Sequence, residues 1–376
     1  MKLLSGTTLT LTLLIASCSK NIDNPEPVVP TPEPVVINPA ISISYYNSIF
    51  IKADRTLWMS GGNEKAQLGD GTLTNRINAV KIADSVLNAS GGSGHTLFVK
   101  TDHTLWGLGE NVKGELGDGT NVNKTKPVKL LDNVEKAVAG QRYSIVLKTD
   151  GTVWATGDNL NGRVGDGTTS DRNTFIKILD DVKDLSSKTQ FSLFLKKDNT
   201  LWGVGANYNG QLGDGTTTDR STPIKIMENV IAMEAGVIHT LFIKSDSTLW
   251  GCGWSNYGNF GDPNALNAWA YTTPFKMMDS VKKVAAGASH TMVIRTNNSL
   301  WAMGRNNQGQ LGLGTTTDSN TRVKVTDNVT DVKAHLNFTV ILKTDKFFYT
   351  TGSNSRGELG LGSTENKSTF QAVTIN

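Results

Sequence analysis

Residues 137–178 read AVAGQRYSIVLKTDGTVWATGDNLNGRVGDGTTSDRNTFIKI, and the pattern within them indicates the architecture of the whole chain. Turn-forming residues such as Asp150-Gly151 separate short runs of apolar and β-branched residues. The four runs are Ala137–Gly140, Ser144–Lys148, Thr152–Gly157 and Phe175–Ile178. Because none of them has a helical period, the stretch predicts one four-stranded antiparallel sheet.

This pattern occurs seven times, and the units fill residues 38–376. A tryptophan in the third run recurs every 48 residues, with one interval of 51, and Tyr349 replaces it in the last unit. The tryptophans are Trp58, Trp106, Trp154, Trp202, Trp250 and Trp301. One such sheet cannot cover both of its faces, so the sheets must stack on one another. Four antiparallel strands per unit favour radial stacking, which predicts an all-β, seven-bladed β-propeller with about 48 residues per blade.

Several copies of the repeat resemble those of the regulator of chromosome condensation family. The copies that carry the resemblance are Thr248–Gly251 (TLWG), Gly210–Thr216 (GQLGDGT) and Ala286–Thr291 (AGASHT). The resemblance implies seven-bladed propellers and extends over residues 38–376. The best known member is a guanine-nucleotide exchange factor for a nuclear GTPase, and that role uses a wedge-like insertion. No insertion of that size is visible here, so exchange activity is not expected.

Composition excludes several classes of function. The net charge is only +3, and lysines and arginines are spread evenly, so no basic stripe for nucleic acid exists. Two cysteines, Cys18 and Cys252, cannot build a disulfide framework or a cysteine metal site. Cys252 occupies a repeat position that is filled elsewhere by Ser60, Leu108 or Val204, which indicates packing and not a reactive thiol.

The first 37 residues predict export and a membrane anchor. Leu3–Ala16 is apolar but short for a transmembrane span, so residues 1–17 are read as a signal peptide. Ile15–Cys18 (IASC) resembles the lipobox of bacterial lipoproteins, in which the cysteine thiol is acylated; the alternative is an ordinary signal peptide with an accidental cysteine. Residues 18–37 are proline-rich and predict a semi-rigid tether, with a ligand for a partner domain as the weaker reading. Ser19 after Cys18 favours the outer membrane of a bacterial cell envelope.

Repeated polar motifs have structural explanations. Gly-Asp-Gly-Thr, as in Gly165–Thr168, offers one carboxylate per copy and loses it in two units, so it predicts a turn and not a calcium loop. His95, His239 and His290 share a column with Asn, Tyr and Phe, which predicts half-buried packing near a strand start. The recurring asparagines predict capped turns, and the tryptophans predict contacts between blades. No catalytic residue, metal site or cofactor is predicted.

Strand parity places the loop before the histidine column and the long loop after the third strand on one face. Loops on a rigid scaffold are the usual place for recognition. On this face Tyr45, Tyr46, Arg142 and Tyr208 are candidate binding residues, since exposed aromatic and arginine side chains are typical of binding hot spots.

The sequence of the fifth unit differs most from those of the other six. Its long loop lies in GCGWSNYGNFGDPNALNAWAYTTP (residues 251–274), which carries three additional residues. Phe260 replaces an apolar core residue of the repeat, whereas Trp254, Tyr257, Trp269 and Tyr271 are candidate binding residues. These aromatics form the strongest candidate site.

The predicted function is therefore a monomeric, membrane-anchored envelope lipoprotein whose propeller binds a protein, or a glycan, through this face. A secreted bacterial inhibitor of β-lactamases, similar in propeller type, grips its target with aromatic loop residues, and only this mode of binding carries over. The alternatives are a carbohydrate-binding or lyase-type enzyme and a structural envelope protein. An enzyme in the central channel would need clustered acids or histidines on inner strands, and none is expected.

Cys18→Ser should release the protein from membranes, because the acylated thiol is the predicted anchor. Fractionation of cells that express either form measures this directly. Continued retention of the variant in the membrane fraction would contradict the lipobox assignment.

Overall fold

The computed structural model describes residues 40–262 and 269–374, and in them it contains seven four-stranded antiparallel sheets. The predicted signal peptide, Cys18 and the tether lie outside the described residues. Apart from strands, the described residues form two short 3-10 helices, Leu160–Gly162 and Asn256–Gly258. No helix in these ranges has the length and apolar character needed to cross a bilayer.

Each blade consists of four consecutive strands. Blade 1 contains β1 (Ala40–Ile43), β2 (Asn47–Ile51), β3 (Leu57–Gly61) and β4 (Arg76–Ala83). Blade 2 contains β5 (Val86–Gly91), β6 (His95–Lys100), β7 (Leu105–Gly109) and β8 (Lys124–Leu131). Blade 3 contains β9 (Val134–Ala139), β10 (Tyr143–Lys148), β11 (Val153–Gly157) and β12 (Arg172–Leu179). Blade 4 contains β13 (Val182–Ser187), β14 (Phe191–Lys196), β15 (Leu201–Gly205) and β16 (Arg220–Met227).

The remaining blades follow the same order. Blade 5 contains β17 (Val230–Ala235), β18 (His239–Lys244), β19 (Leu249–Trp254) and β20 (Ala270–Met278). Blade 6 contains β21 (Val281–Ala286), β22 (His290–Arg295), β23 (Leu300–Gly304) and β24 (Ser319–Thr326). Blade 7 contains β25 (Val329–His335), β26 (Phe338–Lys343), β27 (Phe348–Gly352) and β28 (Lys367–Ala372). The seven-bladed, all-β prediction is confirmed.

The hydrophobic core lies between blades. Seven clusters of buried side chains each combine residues from two consecutive blades; in one of them Ile145 and Val153 of blade 3 pack with Leu185 and Phe194 of blade 4. The first strands β1, β5, β9, β13, β17, β21 and β25 are neighbours around the axis. Since the middle strands are buried on both faces, the sheets can be stable only as a stack.

The ring closes by packing alone. Ile41 and Ile43 of blade 1 share a core cluster with Val340 of blade 7. The rings of Phe50 and Phe348 lie 5.2 Å apart, centroid to centroid, across the same boundary. Because all strands of blade 1 come from the start of the repeat region and all strands of blade 7 from its end, no strand is exchanged at the closure.

The tryptophan column joins blades, as predicted. Trp202 of blade 4 packs against the core cluster that it shares with blade 3. Its indole N–H donates a hydrogen bond to the Thr200 hydroxyl at 2.9 Å, and the Lys196 ammonium lies 5.3 Å from the ring centroid. The aliphatic stem and the charge of the lysine thus cover the outer side of the indole.

The asparagine column and the Gly-Asp-Gly-Thr turns hold the long loops, which confirms their structural interpretation. The Asn207 side-chain oxygen accepts a hydrogen bond from the Leu212 amide at 2.9 Å. Its Nδ2 donates to Asp214 Oδ1 at 2.9 Å and to the Thr216 carbonyl at 3.1 Å. The first glycine of this turn, Gly213, has a φ of 69°, and positive φ recurs there in all seven blades.

Asn207→Ala should lower the free energy of unfolding by about 2–3 kcal/mol, because it leaves the buried Leu212 amide and Thr216 carbonyl without these partners. Thr217→Ala, at an exposed position of the same loop, is the matched control and should change it by less than about 0.5 kcal/mol. Urea denaturation measures both. Equal stability of the two variants would contradict the capping role.

Candidate functional site

The two kinds of loop predicted to share a face do lie together. The Asp158 amide, which opens the long loop of blade 3, donates to the Arg142 carbonyl in the turn between β9 and β10 at 2.8 Å. Blades 2 and 5 contain the equivalent bonds, from Glu110 to Gly94 and from Trp254 to Ile238. We call the surface formed by these turns and the loops between third and fourth strands the long-loop face.

The long-loop face contains most of the exposed apolar side chains. Within residues 40–262 and 269–374, nine large apolar side chains are exposed, and six of them belong to loops between third and fourth strands. These six are Leu73, Val112, Val122, Leu160, Tyr208 and Trp269. Of these six, only the aromatics Tyr208 and Trp269 are candidate binding residues by sequence. The signal for the others is an apolar residue in a column of polar ones: Val112 and Leu160 align with Glu64, Asn256 and Ser355.

The candidate aromatics of blade 5 form a cluster. The rings of Trp254 and Tyr257 meet edge to face at 5.9 Å, and the Arg305 guanidinium of blade 6 lies 4.8 Å from the Tyr257 centroid. Trp254 of β19 pairs with Ala270 of β20, and Trp269 is the residue before Ala270. Trp269 is 83% exposed. We call Trp254, Tyr257 and Trp269 the aromatic patch.

Tyr271 has a different environment from the rest of the patch. It lies within β20, and its ring packs against Phe275 at 4.2 Å and against Phe260 at 5.9 Å. Phe260 is itself buried, as predicted from its place in the repeat. The tyrosine therefore packs against the blade 5–6 core and is only partly exposed.

The other candidates lie around a groove on blades 7, 1, 2, 3 and 4. The groove has a volume of about 430 Å³, and Tyr46, Arg142 and Arg356 are among its lining residues. The Arg356 guanidinium lies 3.7 Å from the Tyr46 ring centroid, and Lys65 pairs with Glu110 at 3.1 Å. Both signs of charge thus line the groove, which gives it a polar, hydrogen-bonding character.

Tyr45 and Tyr208 differ in their accessibility. The Tyr45 ring lies 4.6 Å from the His335 ring, across the blade 1–7 boundary, and its hydroxyl is buried. Burial raises the pKa of Tyr45 far above its ordinary value. The exposed Tyr208 donates its hydroxyl proton to Gln190, a groove residue, at 3.3 Å. Tyr208 therefore borders the groove and is accessible to a partner, whereas the Tyr45 hydroxyl is not.

The central channel contains a cavity of about 370 Å³, and the first strands of all seven blades contribute to its lining. The inner strands carry more ionisable residues than the repeat columns suggested. Asp184, Glu234, Asp331 and His335 all line this cavity, together with four lysines. Comparison of equivalent repeat positions did not reveal these residues, because each acidic residue comes from a different blade. They line one cavity only because the blades form a closed ring. Among the described residues no group of three or more His, Cys, Asp or Glu could hold a metal ion.

The histidine column lies deeper than expected. His95, His239 and His290 are fully buried and not half-buried, because each ring packs beneath the glycine that opens the preceding turn. A Cβ on Gly287 would lie 2.0 Å from the His290 ring, so only glycine fits there. His95 Nε2 meets the Ser144 hydroxyl of the next blade at 3.0 Å. His290 Nε2 likewise meets the Thr339 hydroxyl of the next blade at 3.1 Å, so His95 and His290 join adjacent blades. Cys252 is also buried, and burial raises the pKa of its thiol to about 12, in agreement with a packing role.

The fold defines the class of protein: a tandem-repeat, seven-bladed β-propeller with its variable loops on one face. The chain belongs to the family of the regulator of chromosome condensation (RCC1) repeat. Models of this repeat match residues 102–147, 198–243, 246–294 and 297–342, and a second model matches residues 134–163, 182–211 and 281–310.

Solved structures share the fold at low sequence identity. Human WBSCR16 is 21% identical with a TM-score of 0.76, over 85% of this chain and 94% of that one. Prp20p of Saccharomyces cerevisiae, studied for its binding to Gsp1p and histones, is 19% identical with a TM-score of 0.74, over 84% and 85% of the two chains. The ectodomain of the Arabidopsis thaliana receptor kinase ACR4 is 15% identical with a TM-score of 0.51, over 84% and 96%. A search of the curated proteins found no match.

Stability should fall as pH decreases below about 6.5. Burial lowers the pKa of His239 and His290 from 6.5 to about 3, so these rings stay neutral in the folded state while the unfolded chain takes up protons. Each histidine should lower the free energy of unfolding by up to about 1.4 kcal/mol for every unit that the pH falls between its unfolded pKa and its folded pKa.

His239→Phe tests this effect at one position, since Phe191 and Phe338 occupy the same column. Neither ring nitrogen of His239 has a hydrogen-bond partner among the described residues, so the variant should be at least as stable at pH 7. Its unfolding free energy should depend less on pH between 6.5 and 4 than that of the native chain. Phe191→Leu, which alters packing but no titratable group, is the control and should keep the native slope; an unchanged slope in His239→Phe would refute the effect.

Proposed function

We propose that this propeller is a protein-interaction module that binds its partner through the long-loop face, with the aromatic patch at the centre of the contact. The observation that carries the proposal is Trp269, a large indole that is 83% exposed beside two further aromatics. It lies in the one loop where the repeat changes length. Exposed tryptophans have no role in blade packing, and they are enriched in interface hot spots.

The surroundings of the patch fit an interface. Arg305 lies against Tyr257 and adds the third residue type that is enriched in hot spots. Leu160 and Tyr208 are further exposed apolar side chains on the long-loop face, in blades 3 and 4, and Leu160 lines the charged groove. An apolar centre with a polar margin is the usual composition of a protein–protein interface.

The known structures support a binding role only in a general way. Prp20p, which has the same fold as this chain, binds other proteins. At a sequence identity near 20%, however, neither its partners nor an exchange activity can be assigned to this chain. The partner of this chain is therefore proposed only by its chemistry. It is a protein with a pocket or groove that accepts a tryptophan side chain.

We further propose that the module is held at a bacterial membrane through a lipid on Cys18 and a proline-rich tether. The support is the sequence IASC before the cysteine and the prolines between residues 25 and 34.

The double change Trp254→Ala and Trp269→Ala should abolish capture of the partner. Each hot-spot aromatic typically contributes about 2 kcal/mol or more, so the loss in affinity should be at least several hundredfold. Affinity capture from a bacterial envelope extract, followed by titration of the captured protein, measures it.

Phe347→Ala is the matched control, because Phe347 is a 61% exposed aromatic in the turn between β26 and β27, on the opposite face. It should bind as the native chain does. Equal capture by all three forms would refute the proposed interface. Loss of glycan binding in the double variant, with protein capture intact, would instead assign the patch to a carbohydrate.

A further inference from the structure

The central channel contains more cationic than anionic groups. Four lysines line its cavity and three of them form ion pairs: Lys136 with Asp184 at 2.6 Å, Lys188 with Glu234 at 3.0 Å, and Lys283 with Asp331 at 2.9 Å. The fourth, Lys333, forms no ion pair with any described residue. The lining therefore has one uncompensated positive charge in a partly enclosed space.

Lys333 lies at one level of the channel with three hydroxyl groups. Ser42, Ser90 and Ser186 occupy the position on β1, β5 and β13 that Glu234 occupies on β17 and Lys333 on β25. All five line the cavity. We call Ser42, Ser90 and Ser186 the serine tier.

The serine hydroxyls are available as donors. The Ser90 oxygen accepts a hydrogen bond from the Ala139 amide at 3.1 Å, and the Ser186 oxygen accepts one from the Ala235 amide at 3.0 Å. Because these bonds use the oxygen as an acceptor, each O–H remains free to donate one further hydrogen bond. A hydroxyl that is polarised by an amide in this way is a better donor.

The neighbouring groups do not neutralise Lys333. Glu234, Asp331 and Asp184 all raise the pKa of Lys333, so its ammonium group stays protonated. Each of these carboxylates, however, already forms an ion pair with another lysine. The ammonium group of Lys188, which pairs with Glu234, also donates to the Ala286 carbonyl at 2.5 Å. Burial keeps the His335 ring neutral, with its pKa far below the ordinary value, so the ring adds no charge.

We propose that the channel binds a small oxyanion, a carboxylate or a phosphate, between the Lys333 ammonium group and the serine tier. The Lys333 side chain is partly exposed to the channel and has no ion-pair partner among the residues that the structure describes, so an anion here would supply the missing charge. Three hydroxyl donors and one ammonium match the several acceptor oxygens of such an ion. The cavity of about 370 Å³ has room for a small organic acid as well as for the inorganic ion.

Calorimetric titration of the full-length chain with inorganic phosphate, and separately with acetate, tests this site. The native chain should bind one equivalent of at least one of these ions. Lys333→Met should weaken that binding at least about tenfold, because it removes the charged donor. Lys225→Met, which removes an equal charge from the outer strand β16, should bind as the native chain does.

Ser42→Ala provides a second variant in case Lys333→Met does not fold, which thermal unfolding without added anion shows. No described residue forms a hydrogen bond with the Ser42 side chain, so its loss should weaken binding severalfold without disturbing the blade. Absence of saturable binding of both ions to the native chain would overturn the proposal. So would equal affinity of the native chain and of the Lys333 or Ser42 variant.

Discussion

Packing of one sheet against the next is the interaction on which the rest of this structure depends. Each blade has two apolar faces, and a single blade has no other way to cover them. The tryptophan column, the buried histidines and the seven clusters between blades all serve this contact. The last contact, between blades 7 and 1, has the same character as the others, since Phe50 and Phe348 pack across it without any exchange of strands.

This constraint separates structural from functional positions. A residue that recurs in every unit is required by every blade, as the bonds of Asn207 illustrate. Residues that depart from the repeat are free of that requirement, and they concentrate in two places. One is the long-loop face, where Trp269 is exposed. The other is the channel, where Lys188, Glu234 and Lys333 replace the small residues of other blades.

The fold could be predicted from the sequence, because few architectures are compatible with a repeat of 48 residues that contains four β-like runs. The sequence also identified the loop that carries the aromatic patch, because three additional residues mark it. It was insufficient for the channel, because neighbours there are related by ring closure and not by sequence spacing. Lys188 reaches the Ala286 carbonyl two blades away, a contact that no column of the repeat reveals. The burial of the Tyr45 hydroxyl likewise depends on the closure of blade 1 against blade 7.

The most direct test of the binding face is a photocrosslinking scan around it. One position is exposed in every blade: it follows the buried asparagine in six blades and the buried Ser255 in blade 5. It comprises Glu64, Val112, Leu160, Tyr208, Asn256, Asn307 and Ser355. A photoreactive residue is placed at each of these positions in turn, and at position 347 on the opposite face as a control. It should crosslink the partner most strongly at positions 208 and 256, beside the aromatic patch, and least at positions 64 and 112, in the blades farthest from blade 5. Equal crosslinking all around the ring, or crosslinking only from position 347 on the opposite face, would contradict a binding face centred on blade 5.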